Sequence, residues 1–345
     1  PRLQGREVGG CATILRFGLR SPQMDGAPAY ATATLLLNPY ARRAGRFDVT
    51  GALHYLRRRG LCVRLAVPTT IEAMRRAARR AAEEGDDLLF VVGGDGSLRV
   101  AAGELAGSKT ALAAVPAGTA DVWCREVGIP RRFRTAIDAH LAGQVVAMDL
   151  GRANGEPFLL MAGVGWDAEV ARSVDPVTKR LLGPAAYVLY GFIDAPRLRL
   201  RSMGCTLAGP DADGFDGARP RAALVFSNTR LYGGVVELTP AARADDGLLD
   251  VWSLTPIGAL RAAWAGIRRF LGRPCSGPPG LRAERARLEA PGIPIQLDGD
   301  PAGETPATIW VEPHALRVSI PAGPLPPVFG GPAAGEAASP YTPNR

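Results

Sequence analysis

An unbroken apolar run, Leu88 to Val92, gives way at Gly93-Gly94-Asp95-Gly96-Ser97 to a helical pattern. Glycines in such a turn admit positive φ and let a phosphate approach the backbone without a Cβ in the way. Successive amide groups then face one hollow beside the positive end of a helix. Asp95 is odd for a site that only binds anions. A carboxylate beside phosphates suits a metal partner or a base for an acceptor hydroxyl, although an αL turn with an Asp cap reads the same way.

A second turn, Pro116-Ala117-Gly118-Thr119, also follows an apolar run and precedes a helix. Strand ends of an open α/β sheet face one crevice, so the two turns should converge there. Asn38-Pro39 follows the first apolar run, where Asn38 is placed to hydrogen-bond adenine or ribose; Asn-Pro is also a common turn former. Further on, Asp245-Asp246-Gly247-Leu248 offers paired carboxylates for Mg²⁺, and Asp298-Gly299-Asp300 offers a general base. Both are equally ordinary turns. His54, His140 and His314 are isolated and read as structural, and no Ser–His–Asp set is suggested.

The elements that must hold these turns change character near residue 147. Before it, apolar strands at Ala33–Leu37, Leu61–Val67, Leu88–Val92 and Ala111–Val115 alternate with helical patterns at Val49–Arg59, at Ile71–Glu84 and from near Ser97. Four such alternations predict an open, mostly parallel α/β sheet. After it come short strands at Met148–Arg152, Phe158–Ala162, Leu198–Leu207, Ala222–Asn228, Leu249–Leu254, Ile293–Leu297 and Thr308–Glu312. They predict a β-rich, mostly antiparallel second domain with helices at Lys179–Phe192 and Ile257–Leu271. The expected organisation is therefore 1–30 disordered, 31–146 nucleotide-binding, 147–322 β-rich and 323–345 a disordered tail.

Composition narrows the classes. Of 345 residues 47% are hydrophobic and 21% charged, enough for packed cores. The net charge of +8 is almost all arginine, with Lys109 and Lys179 the only lysines. It reads first as a solvated arginine-rich surface; it also favours phosphorylated ligands or an anionic membrane surface, while sparse aromatics argue against nucleic acid. Cys11, Cys62, Cys124, Cys205 and Cys275 have no metal-like spacing and read as free thiols. No apolar stretch nears the ~20 residues of a membrane span, and no signal-peptide core opens the chain, so a cytoplasmic protein is expected. The face Leu260, Trp264, Ile267 and Leu271, with arginines elsewhere, suits a membrane surface or its own domain's core. Walker, protein-kinase and dinucleotide Gly-x-Gly-x-x-Gly motifs are all missing.

Taken in order, these motifs resemble the catalytic family of the diacylglycerol kinases, which includes bacterial lipid kinases and sphingosine kinases. The resemblance spans about Thr34 to Ile320 and adds Ala162-Gly163-Val164-Gly165-Trp166-Asp167-Ala168, Tyr232-Gly233-Gly234, Pro240-Ala241 and Gln296-Leu297 to the turns above. It implies an α/β domain like that of NAD kinase and phosphofructokinase, a β-rich acceptor domain, a cleft between them, and last strands that return to the first domain. By motif position Gly93, Gly94, Asp95, Gly96, Ser97, Leu98, Arg99, Gly118 and Thr119 would contact ATP. Asp246, with the carbonyls of Arg243 and Leu248, would hold Mg²⁺; Asp298 or Asp300 would be the base, and Asp95 would support the metal–phosphate network.

The implied activity is γ-phosphoryl transfer to a lipid hydroxyl, such as that of diacylglycerol, at a membrane surface; a homodimer is compatible. Phosphorylation of NAD or a sugar phosphate, and nucleotide or lipid binding without catalysis, are the alternatives. Three positions depart from the family pattern. Asp121 stands for Asn after Gly-Thr-x, Asp300 for Glu, and Val67 for a threonine at the end of the second strand.

Overall fold

The computed structural model describes residues 30–173, 190, 199–234, 236–254 and 280–330. Strands β1 (Thr32–Leu37), β2 (Cys62–Ala66), β3 (Leu88–Gly93) and β4 (Ala111–Pro116) pair in parallel in the order β2-β1-β3-β4. β3 and β4 are buried along their whole length, which is why they read as continuous apolar runs. Helices α1 (Val49–Arg58), α2 (Ile71–Glu83) and α3 (Asp95–Leu105) connect them. The Asp48 side chain accepts the Gly51 amide to start α1, and Thr70 accepts the Ala73 amide to start α2. α4 (Val122–Glu126) and α5 (Phe133–Leu141) follow β4.

The second half is antiparallel within its described pairings. β5 (Gln144–Ala153), β6 (Glu156–Phe158), β7 (Met161–Gly165), α6 (Trp166–Ser173), β8 (Cys205–Ala208) and β9 (Ala223–Ser227) come first. The hairpin β10 (Leu231–Tyr232)–β11 (Val236–Glu237) and β12 (Leu249–Leu254) follow. The described chain closes with β13 (Leu281–Ala283), β14 (Arg285–Leu288), β15 (Pro294–Leu297), β16 (Asp300–Glu304) and β17 (Ala307–Ile320).

β17 ties the halves together. It pairs in parallel with β4 and antiparallel with β5 and β14, so one nine-stranded sheet crosses the sequence boundary near 146. The other sheet runs β13-β12-β9-β7-β15-β16. Leu288 and Ile309 of the first sheet and Val164, Leu224 and Ile295 of the second share one core, so the sheets stack as a sandwich.

Several expected boundaries are corrected. The run Phe158–Ala162 is broken at Leu159 and Leu160, whose amides turn to the Asp298 carboxylate instead of a neighbouring strand. Thr308–Glu312 is part of a 14-residue strand, because Pro313 and His314 form a bulge and do not end it. Of the expected strand Leu198–Leu207, only Cys205, Thr206 and Leu207 fall in a described strand, β8, which runs on to Ala208; Arg201 makes an isolated bridge to Arg221, and Leu198 lies outside the described residues. The segment from 323 is ordered at first: Val328 and Phe329 are buried, and the Ala244 amide donates to the Val328 carbonyl. The expected helix Ile257–Leu271, with its apolar face, and all of Lys179–Phe192 but Tyr190 lie outside the described residues. Among the described residues no helix is long and apolar enough to cross a membrane.

Candidate active site

A cleft of about 470 Å³ opens where the ends of β1, β3 and β4 meet β7 and β15. Asn38, Gly94, Asp95, Gly96, Ser97, Arg99, Gly118 and Thr119 line it from the first half, and Asp298 and Asp300 from the second. The two glycine turns do converge. A Cβ on Gly118 would lie 2.5 Å from the Gly94 Cα, and one on Gly94 would lie 3.0 Å from the Gly118 Cα. Neither has positive φ. Glycine is needed here for backbone-to-backbone approach, not for a left-handed conformation. Asn38 Nδ2 donates to Ser97 Oγ at 2.9 Å and its Oδ1 accepts the Tyr40 amide, so its side chain braces the turn.

Asp95 begins α3, slightly ahead of the expected start near Ser97. Its carboxylate accepts the amides of Val122 at 3.0 Å and Trp123 at 3.1 Å. Desolvation raises its pKa, against those hydrogen bonds. Its oxygens thus tie the first turn of α4 to the start of α3 and hold the two glycine turns together. At the far end of α4, buried Glu126 accepts the Leu231 amide at 2.8 Å and faces Arg230 at 3.9 Å. Burial pushes its carboxyl up to about 7. The hairpin that carries Tyr232 is thereby fixed to the same short helix.

The turn after β15 separates its two acids. Asp298, at φ +52°, accepts the amides of Leu159, Leu160 and Met161 at 2.8, 2.9 and 3.0 Å. Desolvation outweighs these bonds and pushes it up to about 6. Asp298 therefore staples this turn to the entry of β7. Asp300 is half exposed, and its Oδ2 lies 3.8 Å from Arg99 Nη2. A Cβ on Gly96 would be 2.7 Å from that same oxygen. The Asp300 carboxylate thus reaches the Gly93–Ser97 turn.

A hydrogen-bonded group beside this turn, whose role is not legible in the sequence, lines the same cleft. Buried Asp167 accepts the Tyr232 hydroxyl and, at 2.8 Å, Gln296 Nε2. Gln296 Oε1 accepts the Gly299 amide at 2.6 Å. The available signal was local: Gly163 lies one helical turn's length before Asp167 in sequence, and its absent side chain leaves the space that the Asp167–Gln296 pair fills.

The expected Mg²⁺ residues stand apart. Arg243, Asp246 and Leu248 do not line the cleft. Asp246 Oδ1 accepts the Leu248 amide at 3.1 Å, while Arg243 pairs with Asp245 at 3.0 Å. Desolvation raises Asp246, and the nearby charges of Asp149 and Asp245 add to this. One carboxylate and two main-chain carbonyls are hard donors suited to Mg²⁺, but water would have to complete the shell. Among the described residues no three His, Cys, Asp or Glu side chains gather as a metal site. An ion at Asp246 would brace the junction of Asp149 and β17, outside the cleft.

Comparison with known proteins agrees with this geometry. The family model described as diacylglycerol kinase catalytic domain matches residues 32–153, and that of the YegS C-terminal NAD kinase beta sandwich-like domain matches 161–320. A Pseudomonas aeruginosa protein named "Probable lipid kinase YegS-like" is 35% identical, over 84% of this chain and 95% of its own. The chain belongs to the YegS-like diacylglycerol kinase family. A Stenotrophomonas maltophilia relative of the same name is 31% identical over 86% of this chain and 98% of its own. A crystal structure of a diacylglycerol kinase from Bacillus anthracis shares the fold, with TM-score 0.64 at 19% identity, over 85% of this chain and 98% of that one.

Within this YegS-like frame the three departures take on physical meaning. Val67, Thr69 and Thr70 do not line the cleft, and Thr70 caps α2. Asp300 reaches Gly96 in the Gly93–Ser97 turn despite its shorter side chain. Asp121 is the costly one. It sits at φ +49°, its Oδ1 accepts the Gly118 amide at 2.8 Å, and its Oδ2 is buried without a hydrogen-bond partner. Desolvation, then the Asp95 charge, push it up to about 6.

A raised carboxyl favours the folded state fully below its unfolded pKa and loses that contribution as pH rises through the folded value. From about pH 3 to pH 7 the parent should lose on the order of 3 kcal/mol of stability that Asp121→Asn retains. Urea melts of both proteins across that range check this. Equal pH slopes would contradict it.

Proposed function

We propose that the cleft transfers the γ-phosphoryl group of ATP to a lipid hydroxyl, with Asp300 as the general base. The observation that carries this reading is the approach of Asp300 Oδ2 to Gly96 in the phosphate turn. An acceptor hydroxyl beside Asp300 would then have the base on one side and a γ-phosphate held at that turn on the other. Asp300 takes its proton, the hydroxyl oxygen bonds to phosphorus, and ADP leaves with the bridging oxygen. The amides at the start of α3 and the Arg99 guanidinium hold the phosphates, and Arg99 Nε is buried without a hydrogen-bond partner in the described structure. Mg²⁺ carried in with ATP supplies further charge neutralisation when bound. Diacylglycerol or a related neutral lipid is the acceptor we favour. Mass spectrometry of a whole lipid extract incubated with protein, ATP and Mg²⁺ tests this. A new phosphorylated lipid is expected; none, with NAD or a sugar phosphate modified instead, would overturn the reading.

The lipid must reach the cleft from a bilayer, and the protein would work at its cytoplasmic face. Tyr40 and Ile71, 72% and 63% exposed, stand on the cleft rim with Arg42. Apolar side chains beside a cation suit an anionic interface. Tyr40→Ser with Ile71→Ser should weaken sedimentation with anionic vesicles by about tenfold, given ~1.4 kcal/mol per decade. Unchanged binding would place the membrane contact elsewhere.

A further inference from the structure

The Asp300 turn is held by a directed chain of hydrogen bonds along the cleft wall, which Tyr232, Asp167 and Gln296 also line. The Tyr232 hydroxyl donates to Asp167, Gln296 Nε2 donates to Asp167 at 2.8 Å, and the Gly299 amide donates to Gln296 Oε1 at 2.6 Å. The middle of the chain is buried: Asp167 and Gln296 are 6% and 3% exposed. Its polarity is set by chemistry. A carboxylate only accepts, so Gln296 must present its NH₂ to Asp167 and its carbonyl to Gly299. Gly163 leaves the room, since any Cβ there would overlap the Asp167 carboxylate and approach Gln296 Nε2 to 2.5 Å. The chain starts on the hairpin that α4 holds and ends one residue before Asp300.

We propose that Asp167 and Gln296 are positioning residues, which fix the Gly299–Asp300 turn against the phosphate turn and couple it to Tyr232. This rests on the reading of Asp300 as the base. A buried anion with both oxygens used holds its partners to narrow geometry. Displacing the base by about 1 Å would cost chemistry far more than binding.

The polarity gives a swap test. Gln296→Glu sets two carboxylates against each other and should push the turn out of place. Adding Asp167→Asn restores the chain with the charge moved to position 296. The Tyr232 hydroxyl then donates to the carbonyl of the introduced amide, whose NH₂ donates to the introduced carboxylate. That carboxylate in turn accepts the Gly299 amide. In Gln296→Glu, kcat should fall by about 10²-fold while KM for ATP stays within about threefold. The double variant should recover kcat to within about fivefold of the parent. Hydrogen exchange at the Gly299 amide gives a readout independent of activity. It should speed up in Gln296→Glu and slow again in the double variant. If Gln296→Glu does not fold, Tyr232→Phe, which removes one hydroxyl at the far end, should still speed Gly299 exchange and lower kcat with KM for ATP unchanged. Gly299 exchange that ignores these changes, or a double variant as slow as the single one, overturns the proposal. If the parent phosphorylates no lipid, the exchange pattern still decides the positioning claim, and only the function reading falls.

Discussion

Asp300→Asn should lower kcat by about 10²–10⁴-fold, the usual worth of a general base, with ATP affinity within about threefold of the parent. The reason is positional. Asp298 spends both carboxylate oxygens on three backbone amides, and Asp95 spends its own on α4. Asp300 is the acid of the turn that faces the phosphate side, half exposed and close to Gly96. Asp300→Glu restores a carboxylate and should keep activity within about tenfold, because the added methylene can fold toward Arg99. Initial rates at saturating ATP, with a parallel nucleotide titration, separate loss of chemistry from loss of binding. A fall in ATP affinity that matches the fall in rate would make Asp300 a binding group.

Gly118→Ala should weaken ATP binding by about 10²-fold, through damage to the phosphate turns. Its Cβ would sit 2.5 Å from the Gly94 Cα and 2.7 Å from Asp121 Oδ1. The first obstacle is backbone, so no side-chain rotation relieves it. The turns must part, and Asp121 loses its bond to the Gly118 amide. Such overpacking costs about 1–3 kcal/mol of stability as well. Gly45→Ala is the control, since nothing lies within 4 Å of its Cβ position. Calorimetric titration of ATP against both variants, with thermal melts alongside, checks the contrast. Equal affinities would mean that the triphosphate does not use the Gly94–Gly118 contact.

What was legible in the sequence follows from how local its causes are. β3 and β4 are buried on both faces, so their runs announced themselves, and the glycine turns at their ends marked the cleft. The expected strand Thr308–Glu312 is only part of β17, since the bulge at Pro313 and His314 that carries the strand onward leaves no alternation to read. The acids were legible as acids but not as partners. Asp95 reaches residues 122 and 123, and Asp298 reaches residues 159 to 161, contacts set by tertiary folding with no periodic trace. Asp167, Tyr232 and Gln296 stood inside recognisable motifs without roles, since the chain joining them spans 65 and 129 residues of sequence. Asp121 was marked as a departure. Only the structure gives its cost, a buried oxygen with no partner next to the phosphate turns.

The most direct test of the central claim follows the γ-phosphoryl group itself. Protein is incubated with Mg²⁺, ATP labelled at the γ-phosphate and mixed micelles of neutral lipids, and label is counted in the organic phase. The account predicts label in a lipid monophosphate with the parent and almost none with Asp300→Asn, while both bind ATP. Label that stays in water while ATP binds, or that appears in lipid equally with Asp300→Asn, would contradict it.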